Sequence, residues 1–300
     1  MENARTVNEL FVNKVSSQDG REKIAMATSS FIRQKLREVS FARKIITPQY
    51  VTQAELTRSV NHDGLVKIVD KEPDSKAMIV NFRGEPTTNY IEGPRYEIPL
   101  FNIYSEEFQK LEDELMAYEM PITEVIERNS VLDIQKIEDT SFMKKITIAI
   151  AESGKTTTGT YGADGSLDAA GLRNLFNLLD GDSLRAETIL MNSKMFNRIA
   201  VVGSNNSTFG DGSVLDEITV NGYKYPTLFG RRLVVTNKVD LVGDNDIYAF
   251  AAPEFMGQFL ILRDATFDIK KDWNLISFRT YETIGIGIGN IKSIAKATFS

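Results

Sequence analysis

Apolar residues Ile24, Phe31, Ile32, Leu36 and Val39, with Thr28 among them, recur at helical spacing near the start of the chain. Asp19-Gly20-Arg21-Glu22 precedes them, with Asp19 placed to cap and Glu22 three residues on, so a helix is predicted that ends before Pro48. Residues 1–18 are polar with scattered apolar positions and read as an extended arm. The period then changes. Val66, Ile68, Met78, Val80 and Phe82 alternate as in short strands, separated by turn formers such as Asn61-His62-Asp63-Gly64, Pro73-Asp74 and Arg83-Gly84-Glu85-Pro86. This pattern predicts a long β-hairpin with little apolar surface of its own. A two-stranded ribbon is marginal alone in water, so it needs a surface to lie on, and that surface need not belong to the same chain.

"RYEIPLFNIYSEEF" returns as a strand, after which Ser105 is expected to cap a short helix over "EEFQKLEDELMAY" with Glu106, Glu107 and Glu112 in its early turns. Pro121 suits the first turn of a longer helix through "ITEVIERNSVLDIQKIEDTSFMKKI". Its stripe of Ile126, Ile134, Ile137, Ser141 and Ile148, with Val131, Leu132 and Phe142 off the stripe, predicts a spine sandwiched between layers. Gly154–Gly165 is a loop of small residues, and Ser166 opens a helix ended by Gly181. "ETILMN" reads as a buried strand, with Ser193 capping the helix after it; residues 203–222 are loop. The last third is mostly strand. In "IGIGIGN" every Ile falls on one face and every Gly on the other, which lets another element approach the glycine face closely.

Composition narrows the function. A chain of 300 residues with 42% apolar and 25% charged residues is long enough for one large or two modest domains. No apolar run reaches the roughly 18–20 residues of a membrane helix, so no membrane partner is expected. Without cysteine there are no disulfides or thiolate metal sites, and the single histidine, His62, reads as a solvated turn residue. The net charge of −6, without a basic cluster, argues against specific nucleic-acid recognition. Glu112-Asp113-Glu114 and Glu138-Asp139 read as solvated helical charge or ion pairs rather than a general acid–base couple.

Three pieces mimic a GTPase: "IAIAESGKTTTG" around Lys155, Asp168-Ala-Ala-Gly171, and Asn237-Lys238-Val239-Asp240. A phosphate-binding loop needs a glycine five residues before Gly154, and Ala149 stands there inside an apolar, helical run. Only 13 positions separate Lys155 from Asp168, where a helix, a crossover and a strand need about 30. No enzyme activity, cofactor or metal is expected, and Lys155→Ala is predicted to leave particle yield unchanged and to abolish no nucleotide binding.

The order of parts resembles the major capsid proteins of tailed bacteriophages, the Hong Kong phage 97 type of α+β fold that encapsulin shells share. The resemblance is carried by "LDAAGLRNLFNLLDGDSLRAETILMNSKMFNRIA" (167–200), by "LFGRRLVVTNKVD" with "DIYAFAAPEFMGQFLILRD", and by "NLISFRTYETIGIGIGNIKSIAKATF". It implies an N-terminal arm (1–18), an N-terminal helix and lead-in of the peripheral domain (19–55) and an extended loop (56–99). It further implies a peripheral domain with the spine helix (100–151), an axial domain (152–264) and closing peripheral strands (265–300). It implies a self-assembling, icosahedral head-shell subunit that forms hexamers and pentamers, aided by scaffolding and portal proteins. The shell would be assembled in the host bacterial cytoplasm, become part of the virion, and contact packaged double-stranded DNA non-specifically. A wall of net charge −6 fits a container that must not hold DNA tightly. With the arm starting near Met1, no fused scaffold is expected. Lys67, Lys71 and Lys76 lie in the hairpin, but no asparagine matches as a cross-linking partner. Contact between subunits is expected through Val66, Ile68, Met78, Val80 and Phe82, with Lys67, Asp70, Lys71, Glu72, Arg83 and Glu85 fixing register. Ile126, Ile134, Ile137 and Phe142 would form the core of the spine. The alternatives are an encapsulin-like compartment and, disfavoured by the missing glycine, a nucleotide-binding enzyme.

Overall fold

The computed structural model describes residues 40–59, 64–73, 77–88, 90, 93–117, 122–161, 167, 169–201 and 227–300. The expected arm, the helix behind Asp19, the turn holding His62, the cap at Ser166, Asp168 and the 203–222 loop lie outside the described residues.

A short helix α1 (Phe41–Ile45), with the Ser40 hydroxyl accepting from the Arg43 amide, ends before Pro48. Strands β1 (Pro48–Tyr50), β2 (Thr57–Arg58), β3 (Leu65–Asp70), β4 (Arg95–Tyr104) and β5 (Phe108–Leu111) follow, then helices α2 (Glu112–Ala117) and α3 (Ile122–Ser153). After them come β6 (Thr156–Gly159), α4 (Ala169–Asp180), β7 (Ala186–Asn192), α5 (Ser193–Val201), β8 (Thr227–Leu228) and β9 (Arg231–Thr236). The chain closes with β10 (Asp246–Ala251), α6 (Pro253–Met256), β11 (Gly257–Asp272), β12 (Leu275–Ile288) and β13 (Ile294–Phe299).

Two sheets result. One runs β1-β11-β12-β4-β3-β2, with β5 also on β12; the other runs β6-β13-β10-β7-β9-β8. The boundary expected at 264/265 therefore falls inside β11, because that strand already joins the first sheet at Gly257. β13 pairs with β10 and β6 in the second sheet, so the last residues do not close the first one. The small-residue loop expected after Gly154 likewise holds strand β6, which gains a ladder from β13.

The α3 helix, about 48 Å long, lies against β12. Along β12, Ile276, Phe278, Thr280, Glu282, Ile284 and Ile286 alternate with outer residues and face inward. From α3 come Ile126, Ile134, Phe142, Met143, Ile146, Ala149 and Ile150, all buried. Two corrections follow. Ile137 is 44% exposed and Ile148 is also exposed, because at 100° per residue they lie on the flank beyond Ile134, at least about 120° round the helix from Phe142 and Ile146. From Ile134 onward the spine is therefore covered on one broad side by its own chain rather than sandwiched, whereas Ile126 and Ser130, earlier on the flank of Ile137, are buried as well. Glu138 and Asp139 occupy that buried side, so they are not a solvated charge run.

Local propensity was overridden at 106–111. Ser105 caps no helix; its amide bonds to the Thr280 carbonyl and its hydroxyl accepts from the Thr280 amide, which carries the chain into β5. Helix α2 starts only at Glu112, with Glu112, Asp113 and Glu114 at its positive end. At α5 the cap is Asn192, whose Oδ1 accepts from the Lys194 amide, while Ser193 is the first helical residue.

The glycine face of β12 is occupied as its pattern requires. A Cβ on Gly287 would lie 2.5 Å from Ile98 Cγ1, and one on Gly289 would lie 2.8 Å from Tyr96 Oη. Ile98, Val51 and Leu260 form a small separate core there, which roots the β3–β4 ribbon.

Candidate functional site

Two of the three pieces that mimic a GTPase, those around Lys155 and at 237–240, prove to be fastenings. Gly154 ends α3 with φ +66°, and Lys155 turns inward. Its ammonium donates to the carbonyls of Leu178 and Lys292, both at 2.8 Å, and pairs with Asp182 at 2.5 Å. It joins the ends of α3, α4 and the turn before β13. The turn after β9 is pinned in the same way: Lys238 Nζ lies 2.5 Å from Asp139 Oδ2 and Lys136 pairs with Asp240 at 3.2 Å, both across to α3. Among the described residues, no group of three or more His, Cys, Asp or Glu side chains is arranged to hold a metal, and no helix is long and apolar enough to cross a membrane. The stability of the subunit is a separate matter: in Lys155→Ala, losing a nearly buried charge-assisted network is expected to cost about 1–3 kcal/mol. A melting temperature lower by several degrees would show it, and an unchanged one would mean that the lysine fastens nothing.

Sequence reasoning missed a second polar feature. Arg43 of α1 is buried where α3, β11 and β12 meet. Its Nε donates to Glu138 Oε1 at 2.9 Å, Nη1 to Asp264 Oδ1 at 3.4 Å, and Nη2 pairs with Glu282 Oε1. Register shifts at Ile261–Arg263 and Arg263–Thr266 mark a bulge in β11 that turns Asp264 inward. Asp139 stands beside them, accepting from the Ala42 amide at 3.1 Å and from Lys238. Burial pushes the carboxyl group of Asp139 up from its usual range. Burial alone would lower Arg43, but Glu138, Glu282 and Asp264 outweigh it and hold the guanidinium above its ordinary value. The sequence signal was present: Glu282 stands in the inward phase of "ISFRTYETIGI", between Thr280 and Ile284.

The extended hairpin is present with different arms. β3 pairs with β4 from Val66↔Pro99 to Asp70↔Arg95, and the Lys71 amide bonds to the Pro94 carbonyl at 2.8 Å. Met78, Val80 and Phe82 do not form a strand, because β4 takes β3 as its partner and leaves 77–88 without a ladder. Val66 is buried within its own chain, which corrects its assignment as a contact residue. Three of the expected register charges are engaged locally: Lys67 with Glu55 at 2.7 Å, Asp70 with Arg95 at 2.8 Å, and Lys71 above the Tyr96 ring. Ile68, Met78, Val80 and Phe82 are exposed, as are Glu72, Arg83 and Glu85. Ile79, at 103% exposure, and Tyr90 join them; the alternating pattern had not singled these out.

No family model matches the chain, and no curated protein matches it. Solved structures do match. One from Microbacterium phage Oxtober96 superposes with a TM-score of 0.61 at 11% identity, over 87% of this chain and 91% of its own. The capsid of an empty GTA particle gives 0.56 at 14%, over 87% and 90%. The asymmetric unit of the mature capsid of bacteriophage PhiM1 gives 0.57 at 9%, over 84% and 85%. At such identities the shared property is the course of the backbone. The chain has the α+β fold of the Hong Kong phage 97 type of capsid protein.

Proposed function

We propose that the chain is the structural, non-catalytic subunit of a tailed-bacteriophage head shell, assembling with copies of itself into hexamers and pentamers around double-stranded DNA. The observation that carries this reading is the ribbon. Its root packs on the chain's own Ile98 core, yet the loop beyond it presents Met78, Ile79, Val80, Phe82 and Tyr90 to solvent. Ordering such a loop costs roughly 1–2 kcal/mol per residue in backbone entropy alone. A neighbouring subunit that buries those side chains would supply the compensating free energy. The seven-stranded sheet with α3 would form the peripheral domain and the six-stranded sheet with α4 and α5 the axial domain. Scaffolding and portal proteins would direct assembly in the host cytoplasm. The GTA and PhiM1 structures are capsids, which supports the same reading.

The test removes the loop and spares its root. Deleting residues 73–92 joins the chain next to the Lys71–Pro94 bond, and Val66 and Ile98 keep their packing. The expected product is a folded subunit that forms no closed shells in electron microscopy, whereas the full chain forms shells and its loop resists protease once assembled. Normal shells from the deletion, or equal cleavage before and after assembly, would refute the role of the loop. Shells filled with protein instead of DNA would favour an encapsulin-like compartment.

A further inference from the structure

Four carboxyl groups and two cations share the buried volume around Arg43. Glu138 and Asp139 come from α3, Asp264 from the β11 bulge and Glu282 from β12; the cations are Arg43 of α1 and Lys238 of the turn after β9. Fully ionised, the six groups carry two more negative than positive charges, and two bound protons would make them neutral. Glu138 and Glu282 each direct Oε1 at Arg43, while each Oε2 is buried without a hydrogen-bond partner. A buried, ionised oxygen that accepts no hydrogen bond is far more costly than a protonated one. Two hydroxyls also face this volume: Ser40 Oγ lies 3.0 Å from both Glu138 Oε1 and Asp139 Oδ1, and Tyr50 donates to Asp264 Oδ2 at 3.1 Å.

We propose that this joint is a proton-binding site: Glu138 and Glu282 hold protons in the folded subunit, and losing them as pH rises loosens the hold of the joint on the α1 segment. Burial is the dominant influence on both glutamates. With Arg43 opposing it, Glu138 lies at about 7 and Glu282 at about 8. Both values are above the ordinary 4.5. The folded chain therefore binds more protons than the unfolded chain between pH 4.5 and those values. The stability these groups contribute is fully present below that window and is lost as pH rises through it. The direction is opposite to that of surface carboxylates held low by cations, which lose their contribution as pH falls. The proposal stands on the fold of the single chain and does not depend on what the chain assembles into.

The experiment is urea unfolding of the purified protein, followed by circular dichroism, across about pH 5 to pH 9. For each proton retained, the wild-type unfolding constant should rise by up to about tenfold per pH unit within the window. E282Q supplies a neutral side chain of the same shape and should lose one proton's share of that dependence; E138Q combined with E282Q should lose both. If the variants do not fold, wild type alone still decides. The infrared carbonyl absorption of protonated carboxyl groups should be present in folded protein at about pH 6 and vanish by about pH 9. An identical pH dependence in wild type and E282Q, or no such absorption at about pH 6, would overturn the proposal.

Discussion

Ile134→Asp is expected to yield insoluble protein. Ile134 is 0% exposed on α3, within the core formed with β12. The cations beside this part of α3, Arg43 and Lys238, are already engaged by Glu138 and Asp139, and burying a further carboxylate costs several kcal/mol, comparable with the roughly 5–15 kcal/mol that holds a domain together. Ile137→Asp is the control. Its side chain is 44% exposed on the flank of the helix, so the subunit should fold with a change of no more than about 0.5 kcal/mol. Soluble yield and circular dichroism of the two variants, made in parallel, decide the matter. Equal damage from both would mean that the outer face of the helix is covered as well. Damage from Ile137→Asp seen only in shell formation would instead place that face at a contact between subunits.

Arg43→Met is expected to cost about 3–5 kcal/mol, because the guanidinium is the cation paired with buried Asp264 and the shared donor to Glu138 Oε1 and Glu282 Oε1, so its removal strands one buried carboxylate and leaves two buried oxygens without a donor. Methionine keeps much of the aliphatic volume while removing the guanidinium, whose Cζ also stands 5.7 Å from the centroid of the Phe259 ring, so the loss would be electrostatic rather than steric. The midpoint of urea unfolding should fall, and protease should cut sooner near residues 40–46. A variant as stable as wild type would mean that the surrounding carboxyl groups carry no charge needing compensation.

The sequence made some of this legible and hid the rest for physical reasons. "IGIGIGN" was readable because a period of two with glycine on one face leaves a slot, and Ile98 and Tyr96 fill it. The extended ribbon was readable from its turn formers, but its partner strands were not. Pairing depends on which ladder closes, and β3 found β4 rather than residues 78–82. Residues 108–111 have the composition of a helix, yet β12 offers them a ladder and they take it. On the spine, Glu138 and Asp139 sit on the inner face while Ile137 and Ile148 sit outside. A reading that assigns charge to solvent and isoleucine to the core inverts that part of the helix. The charged joint was hidden for the same reason: Arg43, Glu138, Asp264 and Glu282 lie on four elements that only the fold brings together.

Strands β11 and β12 meet at Trp273, the sole tryptophan of the chain, which is 93% exposed with φ +56° at the tip of their hairpin. Its indole is already solvated in the folded chain, so intrinsic fluorescence excited at the tryptophan band is a local reporter of that tip. It is nearly silent about the melting of either core, and sensitive to anything that comes to rest on the end of the hairpin.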